Sequence, residues 1–165
     1  QRQMCIETGW GALQFNLTYE KAIEVSDYFK ENLQNNHFVN PDQTVYIGLD
    51  SGWDCMNEEQ LKNYRKGKSN GQIGGIYWTP FTDWARDPER TVDAAPEYKY
   101  KDIYLYANGK PQELDGAYAV DPTHPAVEAM MKKTSGLFHR AGFEYVKMDF
   151  MTHGAMEADK WYNPE

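Results

Sequence analysis

The sequence is poor in cysteine, in basic charge and in long apolar runs, and each shortage removes a class of function. Two cysteines, Cys5 and Cys55, are too few for a disulfide scaffold and lack metal-ligand spacing. Separate buried thiols are expected for them, with a Cys5–Cys55 bridge as the alternative. Lysine and arginine number 17 against 25 aspartates and glutamates, for a net charge of −8. That balance argues against nucleic acid as a partner, because phosphate contacts need a basic surface. No stretch of about 18 uncharged apolar residues occurs, so no membrane-spanning helix is expected. The opening Gln1-Arg2-Gln3-Met4-Cys5-Ile6 lacks the apolar block of a secretion signal, so the expectation is a mature chain or a fragment beginning there. What the sequence has in quantity is aromatic surface. Hydrophobic residues make up 41% and aromatics 15% of 165 residues, enough to bury a core of one domain or part of one.

Along the chain, Thr8–Phe15 reads as a short buried strand. Thr18 is an N-cap with Glu20 in the first turn, and Ala22, Val25, Phe29 and Leu33 follow at helical spacing. Thr44–Leu49 is a β-rich run ending at Asp50, and a polar helix spans Glu58–Lys66. After a turn at Lys68-Ser69-Asn70-Gly71, the run from Ile73 to Phe81 predicts a strand ending near Trp78, because Pro80 cannot donate to a ladder. Residues 82–120 are polar and tyrosine-rich, and Asn108-Gly109 after Ile103-Tyr104-Leu105-Tyr106 predicts a hairpin. So long an elaboration is expected to serve a site rather than a core. Thr123 as N-cap and Pro125 open a helix whose apolar stripe runs through Val127, Met130, Met131, Thr134, Leu137, Phe138 and Ala141. Gly142 ends it, and Glu144–Asp149 is the next strand.

Continuous apolar strands alternating with helices imply an α/β chain with a parallel sheet covered on both faces. Right-handed crossovers would curl that sheet into part of a barrel. Four such units are half of a (β/α)8 TIM barrel, with a β-hairpin insertion after the third strand.

Barrel sites lie at the carboxyl ends of the strands, and here those ends carry Trp10, Asp50, Trp53, Trp78, Lys147 and Asp149. Lys147 and Asp149 are two apart, hence on one face of a strand. A lysine within an apolar run is costly to bury unless carboxylates meet it, and Asp50 and Asp149 are the natural partners. The cation would help keep Asp149 ionised, as a nucleophilic carboxylate must be. Tryptophans around acids suit a sugar, with its C–H faces on indole rings and its hydroxyls on carboxylates. The bland alternatives are that Trp10 and Trp78 are core residues and that Asp50 caps a turn. The histidines are assigned structural places: His124 at a helix start, His153 in a loop, His37 and His139 on solvated surfaces.

Four blocks resemble glycoside hydrolase family 36, the α-galactosidase family, and more distantly family 27 of the same clan. Leu49-Asp50-Ser51-Gly52-Trp53 resembles Asp-Asp-Gly-Trp, and Gly75-Ile76-Tyr77-Trp78-Thr79-Pro80-Phe81 resembles Gly-Ile-Trp-hydrophobic-Ala-Pro-Phe. Tyr118–Pro125 resembles Ala-Leu-Asp-x-Thr-His-Pro, and Gly142–Phe150 resembles the nucleophile block Gly-Phe-Asp-Tyr-Leu-Lys-x-Asp-Phe. The resemblance implies that residues 1–165 are the N-terminal half of a catalytic barrel, with 82–120 as insertion. It implies a retaining α-glycosidase with Asp149 as nucleophile, and Asp50, Ser51, Trp53, Trp78, Lys147 and Trp10 binding the substrate. It implies neither metal nor organic cofactor. The expected partners are a carbohydrate substrate and the remaining half-barrel, or a second chain, covering the strand edges.

Two positions depart from the pattern. Ser51 stands where the family has a second aspartate, which widens the expected substrates to sugars altered at C6, N-acetylated sugars or other α-glycosides. The family's acid/base aspartate follows the sixth strand, so it is expected beyond Glu165; Asp54, Asp83, Asp87 and Asp121 are candidates by composition alone. Without it the isolated chain should not turn over. A raffinose-synthase-like galactosyl transferase and a non-catalytic sugar-binding module are the alternatives.

Overall fold

The computed structural model describes residues 6, 7, 10–67 and 70–163, with backbone alone for 6, 7, 10 and 65–67. In chain order the elements are β1 (Ile6–Glu7), α1 (Trp10–Leu13), α2 (Tyr19–Asn32), β2 (Tyr46–Leu49), α3 (Glu58–Gly67), β3 (Ile73–Trp78), β4 (Thr82–Asp83), α4 (Tyr100–Ile103), β5 (Tyr106–Ala107), β6 (Lys110–Pro111), β7 (Glu113–Leu114), β8 (Ala117–Ala119), α5 (Pro125–Ala141) and β9 (Tyr145–Met148). They fall into two units. One comprises the chain up to Trp78 with Leu137–Lys147, the other Thr79–Gly136 with the chain from Met148 onward. Among the described residues no helix is long and apolar enough to cross a membrane.

The first unit is built on a sheet of order β1-β2-β3-β9. Parallel pairing sets Ile6 beside Tyr46 and Leu49 beside Ile76. The Thr18 hydroxyl accepts the Lys21 N–H at 3.3 Å and so starts α2, with Glu20 in the first turn, as its position before the apolar stripe predicts. Ala22 and Phe29 of that helix join Ile47, Leu49, Leu61, Ile76 and Phe138 in one buried cluster. Asn70 and Gly71, both at positive φ, turn the chain from α3 into β3. The first strand is the exception: among the described residues pairing is confined to Ile6–Glu7, and Trp10–Leu13 is helical, while Thr8 and Gly9 lie outside the described residues. Gly-Ala-Leu-Gln lacks the β-branched residues that favour a strand, and Phe15 is 80% exposed. Cys55 is a free, exposed thiol rather than a buried one; Cys5 lies outside the described residues.

The end of α5 explains how β9 is aimed. Gly142, at φ 86°, sends its N–H to the carbonyls of Phe138 and His139, and the Phe143 N–H returns to Phe138. This is a Schellman cap, and its apolar contact is the edge-on pair of Phe138 and Phe143. β9 then alternates, with Tyr145 and Lys147 half-buried and Val146 and Met148 exposed. Tyr145 lies over Gly75 of β3, where an added β-carbon would come within 2.5 Å of its ring.

The second unit contains the whole of the 82–120 elaboration. The elaboration after β3 has its own hydrophobic core, with Val92, Ile103, Val120 and Val127 fully buried beside Tyr100 and Tyr104. Its sheet runs β4-β8-β7, antiparallel throughout. Asn108-Gly109 joins β5 to β6 as expected, both residues at positive φ. Asp115-Gly116 does the same for β7 and β8. Ile103 is helical rather than extended, so the first hairpin begins only at Tyr106. The cap of α5 is His124, not Thr123: its Nδ1 accepts the Ala126 N–H at 3.1 Å, whereas Thr123 is turned onto Asp121. His153, expected in a loop, lies in a 3-10 turn and is fully buried between the carbonyls of Phe150 and Leu114.

Two measurements follow. Gly75→Ala should cost about 1–3 kcal/mol in urea unfolding, by displacing Tyr145, whereas Gly11→Ala, which meets nothing within 4 Å, should not destabilise. Burial holds the His124 imidazole below its ordinary value against the opposing pull of Asp121 and Asp102. The unfolded chain therefore binds that proton more readily, and the cap's contribution is complete above about pH 6.5 and lost as pH falls towards the folded value. His124→Asn, which keeps an acceptor at the cap, should flatten the fall in unfolding midpoint between pH 7.5 and 5.5; equal slopes would refute the assignment.

Candidate functional site

The carboxyl end of β2 delivers Asp50 into the first unit with 4% of its surface exposed. A buried carboxylate needs partners, and both its oxygens have one. Oδ1 accepts the Ser51 N–H at 2.8 Å, and Oδ2 takes the Lys147 ammonium at 3.2 Å. The two residues are 97 apart in sequence, so β2 and β9 meet here through opposite charge. The lysine side chain keeps 37% exposure against 5% for the aspartate. Lys147 also lies over the Tyr77 ring, 4.9 Å from its centre, a cation–π contact that further stabilises the charge. The result is an acceptor and a partly open donor side by side, which is what adjacent hydroxyls of a sugar require.

The tryptophans are placed differently. Trp53 and Trp78 meet Phe138 edge-on at 5.2 and 5.9 Å, and both pack against the apolar cluster. The Trp53 indole N–H donates to the Tyr77 carbonyl at 2.6 Å. Both therefore do core work, the bland reading offered for Trp78. Trp10 belongs to α1, and its side chain lies outside the described residues. Ser51 is half-buried in the turn after Asp50, where its N–H serves that carboxylate.

Asp149 is the first residue past β9 and belongs to the second unit. Its Oδ1 accepts the N–H of Phe150 at 2.9 Å. Phe150 adopts a left-handed conformation, φ 53° and ψ 36°, a strained choice for a bulky side chain. Its ring packs edge-on against Trp84 at 4.9 Å.

Of the acids considered for proton transfer, Asp83 and Asp121 are buried and committed. Asp83 holds Arg90, the Tyr104 hydroxyl and the Ala85 N–H. Burial, and then this bond to Asp83, push the Tyr104 phenol upward. Asp121 accepts from Thr123 and from the Tyr162 N–H. Asp54 and Asp87 are exposed. Among the described residues no three His, Cys, Asp or Glu side chains gather as a metal site would need.

Two residues of interest were not singled out by the sequence reading. Tyr77 supports both Lys147 and Trp53; it occupies the place of the tryptophan in the Gly-Ile-Trp pattern, and that was its available signal. Trp84 carries none beyond being an aromatic in a polar stretch.

The ion pair makes a direct prediction. Lys147→Met leaves the Asp50 carboxylate buried with its cation gone, and should lower unfolding stability by about 1–3 kcal/mol. Lys147→Arg should recover most of that loss in the same urea titration; no loss in the methionine variant would refute the pairing.

No family model matches this sequence, and no curated protein matches it either. Solved structures do. An α-galactosidase of Thermus thermophilus, crystallised with stachyose, is 18% identical with a TM-score of 0.67, matching 95% of this chain and 34% of its own. The family 36 α-galactosidase AgaA of Geobacillus stearothermophilus is 16% identical with a TM-score of 0.61, over 90% of this chain and 21% of its own. An α-galactosidase of Lactobacillus brevis is 14% identical at 0.61, over 90% and 20%. The chain thus spans between a fifth and about a third of the length of the proteins it matches. At these identities the finding concerns architecture: this chain has the mixed α/β fold of a segment of family 36 α-galactosidases.

Proposed function

We propose that residues 1–165 form the nucleophile-bearing part of a retaining α-glycoside hydrolase, α-galactosidase-like in substrate, with β1, β2, β3 and β9 as four strands of a (β/α)8 barrel. The observation that supports this reading best is the Lys147–Asp50 pair, a buried acceptor and a half-exposed donor at strand ends two residues before Asp149. The substrate class is carried over from the matched proteins, one of them crystallised with stachyose.

In this mechanism Asp149 attacks the anomeric carbon as the glycosidic bond breaks. The leaving oxygen takes a proton from a second carboxylic acid, which the family pattern puts beyond Glu165. That carboxylate then draws a proton from water, and the water oxygen displaces Asp149 to release the sugar. The two acids of a retaining enzyme stand ~5 Å apart. Lys147 donates to a hydroxyl beside the reacting carbon, and Asp50 accepts from the far-side hydroxyls. Ser51 offers a neutral partner there, with bonds roughly half as strong as charge-assisted ones.

Incubating the complete protein with an electrophilic galactose-configured cyclitol should add its mass to the peptide containing Asp149, and Asp149→Asn should abolish the adduct. Labelling elsewhere, or none with any hexose configuration, would overturn the reading. Transfer of galactose to an added sugar in place of water would convert it to a transferase. Residues 1–165 alone should turn over at least roughly 10²-fold more slowly than the complete protein, because general-acid help is missing.

A further inference from the structure

Trp84 is 46% exposed, and among the exposed large hydrophobic side chains described in its unit, with Met148, Met151 and Tyr162, it is the one indole. An indole is the most rewarding side chain to bury, so a fixed, exposed one calls for an occupant. This one is fixed on two sides. Its N–H donates to the Thr79 hydroxyl at 3.1 Å, and Thr79 is itself bonded to Thr82 at 2.8 Å. Its ring meets Phe150 almost perpendicularly, at 86°. The preceding residue, Asp83, is locked by Arg90 and Tyr104, and the Ala85 N–H returns to the Asp83 carboxylate. The indole is thereby held rigidly, with little entropy left to lose on binding. Two residues on, Arg86 pairs with Glu113 at 3.1 Å, both half-exposed, and supplies charged donors and acceptors at the rim. Phe150, against which the indole rests, directly follows Asp149.

Resting on the reading of Asp149 as nucleophile, we infer that Trp84 is a stacking platform for the leaving-group side of the substrate. Its open face takes the C–H surface of the sugar attached to the terminal galactose. Rigid aromatic surface beside polar side chains suits a pyranose, which presents apolar C–H groups on its faces and hydroxyls around its edge.

The complete protein, assayed with raffinose and with α-galactosyl fluoride, separates this role from a structural one. Trp84→Ala should raise KM for raffinose roughly tenfold, the loss of one buried aromatic face. It should leave kcat/KM for the fluoride, whose leaving group reaches no second subsite, within about twofold. Trp84→Phe should restore most of the raffinose affinity. A second readout needs no turnover: with 5-fluorotryptophan incorporated, the ¹⁹F resonance assigned by its absence in Trp84→Phe should shift on adding raffinose and stay in place with galactose alone. Equal losses on both substrates, a resonance moved equally by galactose, or one unmoved by either sugar would overturn the platform. If the resonance shifts with raffinose while Asp149 resists the cyclitol, the platform stands as a binding site and only the hydrolase reading falls. A labelled Asp149 with an indifferent Trp84 resonance overturns the platform alone.

Discussion

A polar group sealed at 4% exposure is costly to bury without partners, and Asp50 finds an ammonium almost a hundred residues away. That requirement organises the first unit. Lys147 must enter β9 at the register that reaches β2 across β3, and the ring of Tyr77 lies beneath its ammonium. Such a pair contributes little net stability compared with an apolar pair of the same volume, because desolvation offsets most of the attraction. What it provides is specificity: a shift of β9 by one residue would aim Lys147 away and leave Asp50 without charge compensation.

The apolar side of the same unit answers to Phe138. Trp53, Trp78 and Phe143 all meet its ring edge-on, so the turn after β2, the end of β3 and the segment leading into β9 share one contact point. The cap at Gly142 turns the chain four residues after Phe138 and makes that convergence possible. Polar pairing sets the register of β9 and aromatic packing sets its approach. Neither suffices without the other.

What the sequence made legible follows from this division. The α2 cap, the α5 stripe and β3 could be read because periodicity and punctuation are local. The Asp50–Lys147 pairing could be read because a lysine among Tyr, Val and Met leaves few ways to satisfy its charge. The sequence left both readings of Trp78 open: β3 is buried along four central residues, so alternation does not tell which face an aromatic takes. Composition gave little sign of a core within 82–120, because five of the residues that pack there are tyrosines, which read as polar in a sequence but can bury most of their rings. His153 had no signal at all, because its two carbonyl partners come from tertiary contact. Asp115-Gly116 did have one, an Asp-Gly step of the same kind as Asn108-Gly109.

The conformation of Phe150 ties these threads to the candidate chemistry. A left-handed residue with a bulky side chain costs about 1–2 kcal/mol relative to an extended one, so the surroundings must impose it. They do so from three directions within the second unit. The Phe150 N–H is taken by the Asp149 carboxylate, the buried His153 engages its carbonyl, and its ring is pressed on Trp84. Releasing the strain would mean breaking all three contacts together. The main chain next to Asp149 is therefore determined in advance of any ligand, and a carboxylate so placed need not be ordered by the molecule it meets. Under the proposed function, preorganisation of that kind is what a nucleophilic carboxylate requires.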